Sequence, residues 1–289
     1  MKKPHKTAVF YAILAAVLYA ISSPFSKLLL KKVPTTMMAA LLYLGAGIGL
    51  TIVGLLQRGF LTKRKELPLT RKELPYTIGM VLLDIAAPIF LMIGLTMTTA
   101  ANASLLNNFE IVATSIIALL IYKEKISNRL WFAIVLVTVS SMILSIQDVS
   151  SFSFSFGSIF VLLACICWGF ENNCTRKLSS KDPLQIVVIK GLFSGMGSLL
   201  IALILGERVT NILYILLALL LGFVAYGLSI FFYIYAQRSL GAAKTSTYYA
   251  IAPFIGSFLS LIIFSEVPQV SFIIGLVIMI IGTYLASTE

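Results

Sequence analysis

Four ionisable residues, Asp84, Glu110, Glu171 and Lys190, lie well inside stretches of mainly apolar residues. Each stretch is about 20 residues long, enough to cross a ~30 Å hydrocarbon layer. Charge at such depth costs a few kcal/mol or more unless it faces protein or water, so it is kept for pairing or for transfer of protons and solutes. At ~1.5 Å per residue from the turn near residue 98, Asp84 is roughly 20 Å deep and Glu110 roughly 17 Å deep. Both therefore fall near the bilayer centre, and a hairpin of the two helices would let the carboxyls share one aqueous space and carry a proton. Glu171 and Lys190 flank the turn around Pro183 at similar depths, which points to an ion pair between their helices.

Polar and aromatic residues at helical spacing surround these charges. Asn107 with Asn108, Glu110 and Thr114 mark one helix; Trp168, Glu171, Asn172 and Thr175 a second; Tyr226, Ser229 and Tyr233 a third; Ser246, Tyr249 and Ser257 a fourth. Pro24, Pro88 and Pro253 remove N–H groups that would bond the carbonyls of Ala20, Asp84 and Tyr249, and are expected to break their helices there. A pocket with aromatic walls and a few polar anchors suits an amino acid, an aromatic metabolite or an organic cation. No metal or cofactor is expected, because Cys165, Cys167 and Cys174 sit in one helix without ligand spacing and His5, the one histidine, lies in the tail.

The elements that must hold these residues are membrane helices. The chain has 289 residues, 59% hydrophobic and 11% charged, with mean hydropathy +1.00, a balance suited to lipid as solvent. Apolar windows recur near 8 to 30, 36 to 56, 75 to 97, 100 to 121, 129 to 146, 156 to 178, 184 to 206, 212 to 235, 244 to 264 and 270 to 286, predicting an all-α membrane protein of ten spans. Although the net charge is +11, nucleic acid is not the expected partner. Lys27, Lys31, Lys32 and Arg208 fall near one set of loops, Lys190 inside a helix, and every other basic residue on the side of the N-terminus. That asymmetry predicts both termini inside.

The chain also repeats. At an offset of 142, residues 100–124 overlay 242–266 with Ala100, Ala101, Ser104, Ser115 and Glu124 matching Ala242, Ala243, Ser246, Ser257 and Glu266. At an offset of 149, Tyr19, Lys27, Lys32 and Pro34 meet Trp168, Arg176, Lys181 and Pro183. The halves, 1–149 and 150–289, hold five helices each, and an odd number makes the second enter from the opposite side. Inverted repeats are a recurring design of secondary transporters. Gly45 with Gly49 and Gly191 with Gly195 predict close helix contacts.

On these residues the chain resembles the EamA-like, ten-helix branch of the drug/metabolite transporter superfamily, through the five-plus-five duplication, the helices opening Ala-Ala and closing with Glu124 and Glu266, Pro253, and the aromatic-then-basic pairs Tyr19/Lys27 and Trp168/Arg176. It departs from that pattern at Ile111, at Leu41, and where neither terminal Glu follows a Gly. The resemblance implies a substrate cavity lined by helices 1, 3, 4, 6, 8 and 9. The expected function is alternating-access export of a small organic solute, coupled to protons through Glu110 or Asp84. An importer or a facilitative permease or channel is the alternative. An enzyme is disfavoured, since no HExxH or Gly-x-Ser-x-Gly occurs. The expected setting is a bacterial plasma membrane, as monomer or weak homodimer, with Glu124 and Glu266 in structural roles.

Overall fold

The computed structural model describes residues 3–60, 67–123, 126–148, 153–178, 180–240, 245 and 248–287, helical except for a small hairpin of Ile146–Asp148 with Ser153–Phe154 and short connections. Among the described residues, eight helices are long and apolar enough to cross a membrane: Lys6–Leu29, Thr35–Leu56, Arg71–Met97, Ala100–Ile121, Asn128–Ser145, Phe156–Leu178, Pro183–Ile204 and Ile212–Ala236. Two shorter apolar helices follow, Ala252–Phe264 and Val270–Ala286, and all ten are numbered helix 1 to helix 10 in chain order. Helix is the form that satisfies every backbone group within one segment in lipid. Side-chain caps start several of them: Thr99 accepts from the Asn102 N–H, Asp182 from Leu184 ahead of Pro183, and Asn211 from Leu213.

The pairings obey a two-fold rule in which helix n exchanges with helix n+5. Helix 2 packs on 7, 4 on 9 and 5 on 10. The contact of helix 3 with 6 has its mate in 8 with 1, that of 4 with 6 in 9 with 1, and that of 2 with 8 in 7 with 3. Five helices per half turn this rule into an inverted repeat. Helices 2 and 7 meet backbone to backbone: a Cβ on Gly191 would lie 2.4 Å from the Gly47 nitrogen, and one on Gly45 would lie 2.0 Å from the Leu219 oxygen on helix 8. Only glycine permits this approach.

Four helices are less regular than their hydropathy suggests. Helix 1 ends a first piece at Ala20 and restarts at Ser22, with Pro24 in the new first turn. Helix 4 breaks between Ala100–Leu106 and Phe109–Tyr122, where Asn108, Glu110 and Ile111 each bond a carbonyl three residues back. No proline is present there; the break falls at Asn107 and Asn108, a residue type that is poor in helix interiors. In helix 9 the matched place is a turn at Ala250 and Ile251, and helix restarts at Ala252 with Pro253 behind it. Pro88, in contrast, does not break its helix: Leu74–Met97 is continuous. One missing bond is tolerated there because helices 6 and 7 pack along helix 3 and hold it. Helix 8 carries a π-helical segment, Phe223–Leu228, that hydropathy gives no sign of.

Candidate functional site

Two polar centres lie on either side of helix 6. The first is built on Lys190 of helix 7. Its Nζ lies 3.1 Å from Asp84 Oδ2 on helix 3 and 3.0 Å from Glu171 Oε1 on helix 6. Asp84 is 0% and Lys190 7% exposed, so neither charge is relieved by bulk water. The Tyr43 hydroxyl donates to Asp84 Oδ1 at 2.8 Å, and Thr175 donates to Glu171. One ammonium thus serves two carboxylates. Lys190 pairs with Glu171, but Asp84 joins that pair instead of facing Glu110, which corrects the shared space expected of the two acids. The reason is packing: helix 3 lies mainly against helices 6 and 7, and only lightly against helix 4.

The second centre is Glu110, half-buried at the start of the second piece of helix 4. Its Oε1 accepts from Asn172 Nδ2 at 2.5 Å, and the same nitrogen lies 3.2 Å from Thr114 Oγ1. Among the described residues it has no ion pair. Gly169 brings helix 6 against the backbone of Ala113 and Thr114, making this bridge possible. Asn172 therefore turns to helix 4 while Glu171 turns to helix 7, so the stripe expected on helix 6 divides between the two centres. Trp168 is buried on the same helix. Asn107 is buried near the Cys165 thiol, and Asn108, 2% exposed, leaves its side-chain nitrogen without a hydrogen-bond partner.

A run of five tyrosines leads away from the first centre. Tyr43 packs on Tyr226 with ring centroids 5.3 Å apart, Tyr226 on Tyr19 at 5.9 Å, Tyr19 on Tyr249 at 5.8 Å and Tyr249 on Tyr233 at 4.9 Å. Ser22 donates to the Tyr226 hydroxyl at 3.2 Å, and Ser229 donates to the Ala15 carbonyl at 2.9 Å. Ser257 is buried and donates to the Ala101 carbonyl, fastening helix 9 to helix 4. Ser246 and Glu124 lie outside the described residues.

Applied to these contacts, the repeat exposes an asymmetry. At the two offsets Glu171 matches Ser22, Lys190 matches Leu41 and Asp84 matches Tyr226. The charged triad on helices 6, 7 and 3 thus has as its mate the neutral Ser22–Tyr226 hydrogen bond on helices 1 and 8. Tyr43, which touches both, was missed from sequence; a tyrosine beside the glycines of helix 2 was the available signal.

The two ends differ as well. A cavity of about 200 Å3 opens between helices 4, 5 and 6, lined among others by Thr114, Ser115, Leu130, Asn172 and Arg176. The mates of Asn172, Ser115 and Leu130 are Ser23, Ser257 and Phe272, all buried. At that closed end Lys27 donates to the carbonyls of Leu95 and Thr98, tying helix 1 to the end of helix 3. Burial pushes the nearby Glu266 carboxyl upward, and the Lys27 charge opposes this. Glu207 accepts from the Met37 N–H at 2.6 Å and so caps helix 2.

The EamA-like transporter family matches residues 6–146 and again 155–288. An uncharacterized transporter of Methanothermobacter thermautotrophicus is 26% identical, covering 94% of this chain and 84% of its own length. The uncharacterized transporter YyaM of Bacillus subtilis is 22% identical over 68% of this chain and 67% of itself, and one from Clostridium kluyveri 26% over 76% and 74%. A solved crystal structure with 15% identity superposes at a TM-score of 0.69, covering 97% of this chain and 95% of that one, and shares its fold.

Proposed function

This chain belongs to the EamA-like transporter family and is a multi-pass membrane protein, and on that premise we propose that it exports a small organic solute across a prokaryotic plasma membrane by alternating access. The halves 1–149 and 150–289 are the two bodies that exchange conformations, and the Lys- and Arg-rich loops face the cytoplasm.

The observation that carries the reading is the unequal state of two matched places. The one beside Asn172 and Thr114 is open, and its repeat mate beside Ser23 and Ser257 is packed shut. Two halves of one fold that hold different states can exchange them. Glu110 is the coupling acid in this scheme. Its carboxyl is hydrogen-bonded by a neutral amide and is in no ion pair among the described residues, so it is the acid available to exchange a proton. Asp84 already has an ammonium, so its role is to position helices 3, 6 and 7.

Proteoliposomes with an imposed pH gradient test this. Glu110→Gln should abolish gradient-driven exchange of the solute. Unchanged flux with unchanged pH dependence would show that the acid is wrongly assigned.

A further inference from the structure

We infer that the Asp84–Lys190–Glu171 centre is itself a proton-binding site, which holds one proton on Glu171 and so ties helices 3, 6 and 7 together as a neutral unit. This goes beyond the export reading and does not depend on it. Asp84 Oδ2 lies 3.1 Å and Glu171 Oε1 3.0 Å from the same Nζ, and Asp84, Glu171 and Lys190 are 0%, 2% and 7% exposed. Two carboxylates against one ammonium leave one negative charge over, in a place closed to water and surrounded by hydrocarbon. Carboxylates that share such a site do not both stay ionised, and one takes up a proton. Among the described residues Lys190 is the only base paired with either acid. Arg176, on the same helix as Glu171, is exposed; five residues on, it lies about 140° around that helix, on the side of the cavity that it lines with Thr114. Glu110, across helix 6, adds negative charge if ionised and none if protonated, so the surplus stands in either case. The other titratable groups facing the centre are uncharged near neutral pH: Tyr43 on helix 2, Tyr226 packed on it from helix 8, and the half-buried thiols of Cys167 and Cys174 on helix 6. Hydrogen bonding selects the atom. Tyr43 meets Asp84 Oδ1 and the ammonium Oδ2, whereas Thr175 and the ammonium both meet Oε1 of Glu171, so Oε2 of Glu171 is the oxygen that takes the proton. Binding turns this carboxylate into a carboxylic acid, with the proton drawn from water, and leaves the centre without net charge. Its repeat mate is neutral outright, since Ser22, Leu41 and Tyr226 stand where Glu171, Lys190 and Asp84 stand. As pH rises and the proton leaves, a negative charge appears between helices 3, 6 and 7, and the tie weakens.

Infrared spectroscopy of the full chain in nanodiscs tests this through the C=O stretch of protonated carboxyls at neutral pH, with isotope-labelled glutamate separating glutamate bands from aspartate bands. The wild-type chain and its Glu110→Gln variant are measured side by side, so that a band belonging to Glu110 is set apart. In both, Glu171→Gln should remove a labelled acid band. Asp84→Asn, or Asp84→Ser should that variant not fold, should remove the same band although Glu171 is untouched, because one carboxylate then balances one ammonium. A proton held on Glu171 by burial alone would survive that change. If Glu171→Gln removes no band, or if the band persists once Asp84 is replaced, the assignment is overturned. Thermal unfolding gives a second measurement: between neutral and alkaline pH the midpoint should fall with the centre intact and fall less in Asp84→Asn, and equal profiles overturn the assignment as well. Neither measurement uses flux, so a loss of export without loss of the band sinks the carrier reading alone, and loss of the band with export intact sinks only the proton site.

Discussion

Because one ammonium serves both Asp84 and Glu171, exchanging the side chains of Glu171 and Lys190 would set a carboxylate against Asp84. The double variant Glu171→Lys/Lys190→Glu should therefore stay inactive, and adding Asp84→Asn should restore flux in proteoliposomes; rescue by the double variant alone would show that Asp84 is outside the pair. Lys190→Leu by itself strands two buried carboxylates and should cost about 3 to 5 kcal/mol, read from denaturant unfolding in detergent. Asn108 behaves in the opposite way. Its unpartnered amide nitrogen carries a desolvation penalty of about 1 to 3 kcal/mol, so Asn108→Ala should hold or raise the unfolding midpoint. A fall in transport at unchanged stability would then place Asn108 on the substrate path. The charged residues themselves were legible from sequence, because a lone charge stands out in an apolar run. Their partners were not, since spacing along the chain says nothing about which neighbouring helix a side chain meets.

At the level of the elements, the two helix ends that precede Glu124 and Glu266 share an uncommon geometry. Lys123 and Ser265 both adopt left-handed backbone, φ 54° and φ 51°, at positions matched by the repeat. A side chain there costs roughly 1 to 2 kcal/mol that glycine avoids, which explains why the missing Gly before each Glu marks a departure from the family pattern. Lys123→Gly and Ser265→Gly should each raise stability by about 1 kcal/mol, observed as a higher midpoint in thermal unfolding. The spans were legible because hydropathy reports which segments sit in lipid. The interruption of helix 4 and the π segment of helix 8 were not, because both depend on where backbone bonds can be replaced by neighbours. Pro88 makes the same point in reverse: a strong local breaker is overruled by the helices packed around it.

For the whole molecule, the Lys27 contacts with the carbonyls of Leu95 and Thr98 hold shut the end opposite the cavity. Lys27→Met should loosen that end and favour the opposite state. A single cysteine at Ser257, in a background lacking the native thiols, should then react several-fold faster with a membrane-impermeant maleimide added from the outer face; equal rates would show that Lys27 is no latch. Composition and period alone determined that this is an all-helical membrane chain of two related halves, since lipid tolerates few alternatives and an odd repeat must invert. Only the tertiary structure decided that the halves differ at their centre, a charged triad in one place and a neutral Ser22–Tyr226 bond at its mate, and that one end is open while the other is closed. Those facts arise from side chains meeting across helices far apart in the chain, where docking of helices 2, 7 and 8 through glycine sets the distances, and no local pattern encodes such distances.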